Sequence, residues 1–355
     1  MSGNILLVSY NISGYGGIET VCTQLHTLLK DHNINMNIIF IDEGLKDYND
    51  DWLSNIPYQR ISSNIRNKKI RMISYATKIK KYIKNKKIKH IICLDLMSCY
   101  IASLVKKLTL FSTIKTYSWL HFVIDNLYRE DYLLKVDRHL AISSRIKEQL
   151  IERGIKEEKI ALIFNPINEN KHIIKRGSGN HKTFIYVGRI IAQGEKNLAE
   201  LIQSLSMVQK EWTLHLIGDG NKNELEKLQR IINTHGVHKR VVFHGWQNDP
   251  WGFIETKIKK VDALFLTSIF EGFGMVLGEA ISRGIFCISS NCFGPSDIIN
   301  NDNGFLYTSG NIKELADKIN KLYYFEYPDY ITIKESISKL YSKNYIINLI
   351  RFLEK

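Results

Sequence analysis

The sequence predicts an α/β protein with two doubly wound, parallel-sheet domains, and three observations support this fold class. Apolar runs of strand length alternate with segments whose apolar residues recur at helical spacing. The alternation stops at a polar stretch, residues 168–182, and then starts again. The chain of 355 residues is also long enough for two domains of roughly 150 residues each. We therefore expect two Rossmann-like domains that face each other across a cleft.

Each domain contains five predicted strands, most of them followed by a turn and a helix-like segment. In the first domain, residues 1–167, they cover residues 4–10, 36–41, 90–94, 114–119 and 139–142. Residues 168–182 are the predicted linker. In the second domain, residues 183–332, the strands cover residues 183–187, 212–217, 241–244, 263–267 and 285–290. The last stretch, residues 333–355, is amphipathic and is predicted to be a helix that crosses back to the first domain.

The positive charge of the chain is concentrated in one segment. Lys and Arg outnumber Asp and Glu by 49 to 36, which gives a net charge of +13, and twelve basic residues and no acidic one lie between positions 60 and 89. Ile70, Ile73, Ile79, Tyr82 and Ile83 recur there near helical spacing, so we predict a helix with one apolar and one cationic face. No nucleic-acid-binding motif accompanies the charge. We expect the cationic face to meet an anionic membrane or a phosphorylated glycolipid, and the sequence leaves both open.

The chain has neither a secretory leader pattern nor an apolar run long enough to span a membrane, so a cytoplasmic location is expected. The five cysteines are odd in number, lack a C-x-x-C pair and lie mostly in apolar runs. We predict that all five are reduced and belong to the core.

A glycine-rich loop follows the first strand. Gly14, Gly16 and Gly17 precede a helix, where free amides and the helix dipole favour an anion such as phosphate. The spacing is not G-x-G-x-x-G, and a simple tight turn fits it equally well. Asp42 at the end of the next strand gives no clear nicotinamide-binding pattern.

Four charged residues follow strands of the second domain. Arg189 ends one strand and Lys196 lies seven residues later, so two cations are available for a diphosphate. Glu271 lies in the loop after a later strand and Glu279 is inside the next helix. Carboxylates bind sugar and ribose hydroxyls as charge-assisted acceptors. Phe273 and Gly274, which lie between them, offer backbone N–H groups to the same ligand.

These motifs together resemble the retaining glycosyltransferases of family four. The resemblance rests on the E-x7-E pair of Glu271 and Glu279, G-G-I-E from Gly16, V-G-R ending at Arg189, and Lys196. It runs over the entire chain and implies the GT-B fold of two Rossmann-like domains. The family usually has Gly directly after the lysine, where this chain has Asn197.

The resemblance implies a role for each residue. Arg189 and Lys196 would bind the donor diphosphate and stabilise the departing UDP, Glu271 would hold hydroxyls of the donor sugar, and Glu279 would bind the ribose. The remaining donor-side residues are Gly16, Gly17, Phe273, Gly274 and Met275, and His121 matches the family histidine near the transferred sugar.

Narrower motifs resemble the galactosyltransferases of lipopolysaccharide outer-core assembly, among them S-W-L-H-F from Ser118 and G-P-S-D-I-I from Gly294. They imply a UDP-galactose donor and a lipopolysaccharide or other glycolipid acceptor at the inner face of the cytoplasmic membrane. Related enzymes with similar motifs use UDP-glucose or UDP-N-acetylglucosamine, so these two remain as alternative donors.

No metal or cofactor is expected, because fixed cations and helix N-termini can stabilise the leaving diphosphate and the chain has no D-x-D carboxylate pair. Two other functions remain as remote alternatives. One is a nicotinamide-dependent oxidoreductase, and the other is a non-enzymatic basic adaptor that binds nucleic acid or anionic lipid through residues 60–89.

Overall fold

The computed structural model describes residues 3–12, 14, 16–44, 48–84, 86–109, 113–122, 124–125 and 128–355. The chain forms two compact units, the first built from Met1–Pro166 with Ser342–Lys355 and the second from Ile167–Tyr341. Each unit contains one parallel sheet with helices between its strands. The predicted α/β class and two Rossmann-like units are confirmed.

The sheet of the first unit has seven parallel strands in the order β3-β2-β1-β4-β5-β6-β7. They are β1 Asn4–Tyr10, β2 Met36–Ile41, β3 Tyr58–Ile61, β4 Ile88–Cys93, β5 Lys115–Leu120, β6 Arg138–Ala141 and β7 Ile160–Leu162. The central strand β1 is buried from Ile5 to Val8 because it pairs on both sides, with Val8 opposite Ile39 of β2 and Cys93 of β4. A strand covered on all sides needs this continuous apolar run.

The sheet of the second unit has six parallel strands in the order β10-β9-β8-β11-β12-β13. They are β8 Lys182–Val187, β9 Trp212–Ile217, β10 Val241–Phe243, β11 Ala263–Leu266, β12 Cys287–Ser290 and β13 Gly304–Tyr307. In both units the first strand lies between the second and the fourth. The strand order therefore reverses beside β1 and beside β8, which is where doubly wound sheets bind their ligands.

Eleven α-helices are described, six of them in the second unit. Those of the first unit are α1 Gly17–Asp31, α2 Lys68–Ile83, α3 Leu96–Leu108, α4 Ser144–Glu152 and α11 Ser342–Glu354. Those of the second unit are α5 Leu198–Ser206, α6 Lys222–Thr234, α7 Pro250–Phe253, α8 Met275–Ile281, α9 Ile312–Lys321 and α10 Tyr330–Glu335.

All ten predicted strands are present, and the three that the sequence reasoning missed are β3, β7 and β13. Each of the three lies at an edge of its sheet. An edge strand is packed against neighbours on only part of its surface, so it needs fewer apolar residues. Two of the four residues of β3 are exposed. Their short or polar sequences therefore lack the buried-strand pattern.

The domain limits differ in two places from the prediction. Residues 168–182, predicted as a linker, belong to the second unit. There the backbone of Lys175 forms a parallel β-bridge with that of Lys260, and the Ile174 amide donates to the Arg283 carbonyl. The single helical stretch predicted after residue 332 consists of α10 and α11, and only α11 belongs to the first unit. There the Arg138 guanidinium donates to the Phe352 carbonyl at 2.9 Å.

The helix predicted in the basic segment is α2, but its buried face was predicted wrongly in part. Its buried residues are Met72, Tyr75, Ala76, Ile79 and Ile83. Ile70 and Ile73, predicted to face inward, are 54% and 48% exposed. They lie on the face that carries the lysines.

All five cysteines are free and buried, as predicted. Within the described ranges, no helix combines the length and apolar character needed to cross a membrane.

Candidate active site

The candidate site of the second unit lies where the strand order reverses between β8 and β11. The loop after β8 begins with Gly188 and Arg189 and leads to Lys196, and the loop after β11 leads to Glu271. The two loops are joined, since the Thr267 hydroxyl donates to the Lys196 carbonyl at 2.9 Å. The two sequence motifs therefore meet at the carboxyl ends of β8 and β11.

Lys196 and Glu271 form a part-buried ion pair. The Lys196 Nζ lies 2.5 Å from Glu271 Oε1, and only 14% and 16% of the two side chains are exposed. The Ser268 hydroxyl donates to the same carboxylate oxygen at 2.8 Å. Glu271 Oε2 makes no hydrogen bond in the part of the chain that the structure describes. One carboxylate oxygen is thus anchored while the other can accept a ligand hydroxyl.

Arg189 does not contact Lys196 directly. Its guanidinium pairs with Glu195 at 2.8 Å, and Lys196 Nζ lies 3.3 Å from the same Glu195 carboxylate. Arg189 is the more exposed of the two cations, with 57% of its side chain exposed against 14% for Lys196. The two predicted cations are thus bridged by an acid that the sequence reasoning did not select, although it directly precedes Lys196.

The loop between Glu271 and α8 contains the predicted backbone donors. Gly274 has a φ of +92°, a left-handed conformation that favours glycine, and its carbonyl accepts from the Leu277 amide. Met275 begins α8, so its amide has no partner within the helix. Phe273 is buried as a whole residue, and its backbone packs against Gly294.

Glu279 lies one turn inside α8, apart from the Lys196–Glu271 pair. Trp251 Nε1 donates to Glu279 Oε2 at 3.0 Å, and burial raises the pKa of this carboxyl above its usual value. The Arg283 guanidinium stacks on the Trp251 ring at 4.6 Å. The sequence analysis assigns no role to Trp251, and its contact with Glu279 depends on chain folding that no spacing rule reveals.

In the first unit, the glycine loop after β1 is organised by Glu19. This buried side chain accepts from the Gly14 amide at 2.8 Å and from the Gly16 amide at 3.1 Å. The expectation that these amides are free for an anion is therefore corrected at both glycines. Gly17, the first residue of α1, is exposed, and a Cβ added there would meet no described atom within 4 Å.

His121 follows β5 at the carboxyl edge of the same sheet. Its ring packs edge-on against Trp119 with 4.5 Å between centroids, and burial lowers its pKa to about 3. The imidazole is therefore neutral at physiological pH. Its Nε2 is buried and has no hydrogen-bond partner among the described residues. A buried polar atom of this kind is suited to a ligand hydrogen bond.

Within the described ranges, no three His, Cys, Asp or Glu side chains are grouped so that they could hold a metal ion.

Two family descriptions match the chain, one for each unit. Residues 15–171 match Glycosyltransferase Family 4, and residues 168–327 match Glycosyl transferases group 1. The chain is 37% identical to the lipopolysaccharide 1,6-galactosyltransferase of Escherichia coli K12 over 96% of this chain and 95% of that protein. It is 36% identical to the protein of that name from Salmonella typhimurium, over 96% and 97% of the two chains.

Solved structures agree with these matches. The apo form of the lipopolysaccharide outer core galactosyltransferase WaaB is 34% identical, covers 99% of both chains and superposes with a TM-score of 0.90. Anabaena HepE in complex with UDP is 18% identical with a TM-score of 0.80 over 99% of both chains, which shows a shared fold.

The two Rossmann-like units and these matches together define a glycosyltransferase of the GT-B type. The chain belongs to glycosyltransferase family 4, the family of its lipopolysaccharide 1,6-galactosyltransferase relatives. The oxidoreductase and adaptor alternatives are therefore wrong.

Proposed function

We propose that this enzyme transfers galactose from UDP-galactose to the outer core of lipopolysaccharide. The observation that carries the proposal is the 37% identity, over nearly the full length of both chains, to a protein named lipopolysaccharide 1,6-galactosyltransferase. The Lys196–Glu271 pair supports it chemically, because a cation for phosphate lies beside a carboxylate with one unoccupied oxygen.

The proposed roles in the second unit follow from the environment of each side chain. Lys196 is held in place and binds the diphosphate, and exposed Arg189 swings from Glu195 to join it. Glu271 Oε2 accepts from a hydroxyl of the donor sugar. Glu279 binds the ribose, with its carboxylate oriented by Trp251. Phe273, Gly274 and Met275 contribute backbone contacts to the donor.

The proposed roles in the first unit are carried by three residues. Gly17 approaches the donor closely because it has no side chain, and Gly16 contributes through its exposed Cα surface, since its amide is bound to Glu19. His121 donates or accepts a hydrogen bond at the transferred sugar through Nε2 as a neutral imidazole.

We propose a retaining reaction without metal or cofactor. The bond between the anomeric carbon and the diphosphate oxygen breaks, and the acceptor hydroxyl oxygen bonds to that carbon from the same face. The acceptor proton passes to the departing phosphate oxygen, whose charge is balanced by Lys196 and Arg189. This route needs no carboxylate nucleophile, so Glu271, with one oxygen held by Lys196 and Ser268, serves to bind the donor sugar.

Two measurements test this reaction. Transfer should continue unchanged in excess EDTA, and the proton NMR coupling of the product's anomeric proton should show the configuration of the donor. Loss of activity that added Mg²⁺ restores, or an inverted product, would contradict the proposal.

The donor is tested by ligand-induced thermal shift with UDP-galactose, UDP-glucose and UDP-N-acetylglucosamine. Ligands that bind the native state raise its stability by RT ln(1 + [L]/Kd), so the preferred donor gives the largest shift at equal concentration. We expect UDP-galactose to give it. A larger shift with either alternative sugar would reassign the donor.

We also propose that α2 docks on an anionic membrane surface, which places the enzyme peripherally on the inner face of the cytoplasmic membrane. The exposed face of α2 carries Lys69 and Lys81 beside the exposed Ile70 and Ile73, and the exposed Lys84 directly follows the helix. Charge attraction and apolar insertion are the two signals that stable peripheral binding needs. The exposed isoleucines favour a lipid surface over a soluble phosphorylated glycan.

Vesicle co-sedimentation tests the docking. Lys81→Gln with Lys84→Gln should weaken binding to anionic vesicles by about 30-fold, since each lysine contributes about 1 kcal/mol. Ile70→Ser with Ile73→Ser should weaken it as well, and the matched control Ile347→Ser, at a residue 50% exposed on α11, should not. Equal binding by all variants, or binding insensitive to salt, would contradict this surface.

A further inference from the structure

The loop that carries Lys196 is attached to the rest of the second unit through a buried acid outside the family motifs. Glu200 lies three residues beyond Asn197, the residue that precedes α5, and its side chain is 2% exposed. Glu200 Oε2 accepts from the Asn197 side-chain amide, and Oε1 accepts from the Gly310 amide at 3.0 Å. The acid thus links the lysine loop to the turn after β13.

Asn197 needs such support because of its backbone. It has φ of 47° and ψ of 47°, the left-handed region that glycine adopts freely and other residues adopt at a cost. Asn is among the residues that tolerate this region best, since its short side chain can form local hydrogen bonds. Here that hydrogen bond is donated to Glu200, so the acid holds Asn197 in the conformation that orients Lys196.

We propose that Glu200 is a positioning residue for Lys196, acting through Asn197. The backbone around Lys196 is also held by the Thr267 hydroxyl, which donates to the Lys196 carbonyl, and by the Ile269 amide, which donates to the Glu195 carbonyl. Glu200 adds the contact at Asn197, on the helix side of the lysine. The inference rests on the proposed role of Lys196 in binding the donor diphosphate.

A second acid provides a matched control. Glu314 lies three residues beyond Asn311, the residue that precedes α9, and Glu314 Oε2 accepts from the Asn311 side-chain amide at 3.3 Å and from the Thr308 amide at 2.9 Å. The two acids therefore lie at the same distance in sequence from an Asn that precedes a helix. Glu314 has no hydrogen bond to the lysine loop among the described residues.

The test compares UDP affinity, measured by calorimetry, with thermal stability. Glu200→Gln should weaken UDP binding by about 10-fold, because the Asn197 amide loses a charged acceptor. Glu314→Gln removes the acid that accepts from an Asn side chain at another helix start, and it should change UDP affinity by less than about 2-fold. Asn197→Ala, which keeps the acid but loses the amide, should weaken UDP binding as Glu200→Gln does.

A glycine at position 197 should make UDP binding independent of Glu200. Asn197→Gly adopts the left-handed conformation unaided, so UDP affinity should stay within about 3-fold of the parent. Adding Glu200→Gln to Asn197→Gly should then weaken UDP binding by less than about 3-fold, and this coupling is not expected if Glu200 only stabilises the fold.

Lys196→Met in the same series separates the two hypotheses. If it weakens UDP binding while Glu200→Gln and Asn197→Ala do not, the positioning role is wrong and the phosphate site stands. If Lys196→Met leaves UDP binding unchanged, the assignment of the phosphate site is wrong, and the positioning role falls with it.

Discussion

Replacing Glu271 with glutamine should separate nucleotide binding from sugar transfer. Glu271 holds Lys196 in an ion pair and also lies close to any phosphate that Lys196 binds. The carboxylate therefore competes with the diphosphate for one cation and repels it. UDP alone carries no hexose, so it offers no sugar hydroxyl for Glu271 to bind. We expect Glu271→Gln to bind UDP more tightly and to transfer sugar far more slowly.

The size of the effect follows from the geometry. Lys196 Nζ is 2.5 Å from Glu271 Oε1, so a phosphate oxygen in contact with Lys196 lies within about 5 Å of the carboxylate. Two like charges at that separation repel by about 3 kcal/mol at an effective dielectric constant near 20 and by about 1 kcal/mol in water. Losing the anchor on Lys196 offsets part of this gain. We therefore expect a net gain of about 1 kcal/mol, or about five-fold tighter UDP binding.

Calorimetry of UDP binding and the rate of sugar transfer to lipopolysaccharide measure the two halves of this prediction. The transfer rate of Glu271→Gln should fall by about 10²-fold, because a charged acceptor for the sugar hydroxyl is lost in the transition state. Glu195→Gln is the control. It contacts both Lys196 and Arg189 but is 42% exposed, so UDP binding should tighten less and transfer should continue. If Glu271→Gln weakens UDP binding as much as Lys196→Met does, Glu271 binds the nucleotide and the reasoning is wrong.

Three further substitutions test other parts of the site. Gly17→Ala should leave thermal stability equal or slightly higher, because alanine favours a helix, yet slow transfer by about 10-fold; normal transfer would show that this glycine does not approach the donor. His121 has a pKa of about 3 in the folded chain against an ordinary 6.5, so the stability it contributes is present above pH 6.5 and is lost as pH falls. Between pH 7 and pH 5, denaturant titrations of His121→Asn should lose about 2 kcal/mol less stability than the parent, and equal losses would contradict the buried, neutral histidine. Trp251→Phe removes the donor to Glu279 and should weaken UDP binding by about 10-fold at nearly unchanged turnover, whereas unchanged binding would remove its orienting role.

Much of the fold could be predicted because parallel strands buried on both faces require continuous apolar runs. The central strands β1 and β8 show that pattern. The glycine loop, Arg189 and Glu271 follow β1, β8 and β11, which lie where the strand order reverses. Edge strands such as β3 escaped prediction because exposure relaxes the demand for apolar residues.

The parts of the site that were missed depend on contacts between residues distant in sequence or on a choice between nearby polar partners. No periodicity shows that Trp251 donates to Glu279 or that Glu19 occupies the Gly14 and Gly16 amides. Helical spacing predicted that Ile70 and Ile73 lie on the buried face of α2, whereas the structure buries Met72 and Tyr75 there. The helix sequence allows an apolar face through Ile70 and Ile73 or one through Met72 and Tyr75, and only packing in the folded unit selects between them.

Transfer from labelled UDP-galactose to a lipopolysaccharide acceptor that lacks its outer-core galactose tests the central claim most directly. The account predicts that the purified enzyme forms galactosylated lipopolysaccharide and releases one UDP for each galactose transferred. UDP-glucose and UDP-N-acetylglucosamine should react at least about 10-fold more slowly, as expected where a site binds a specific sugar hydroxyl. No galactose incorporation under conditions where UDP binds, or faster transfer from either of the other donors, would contradict it.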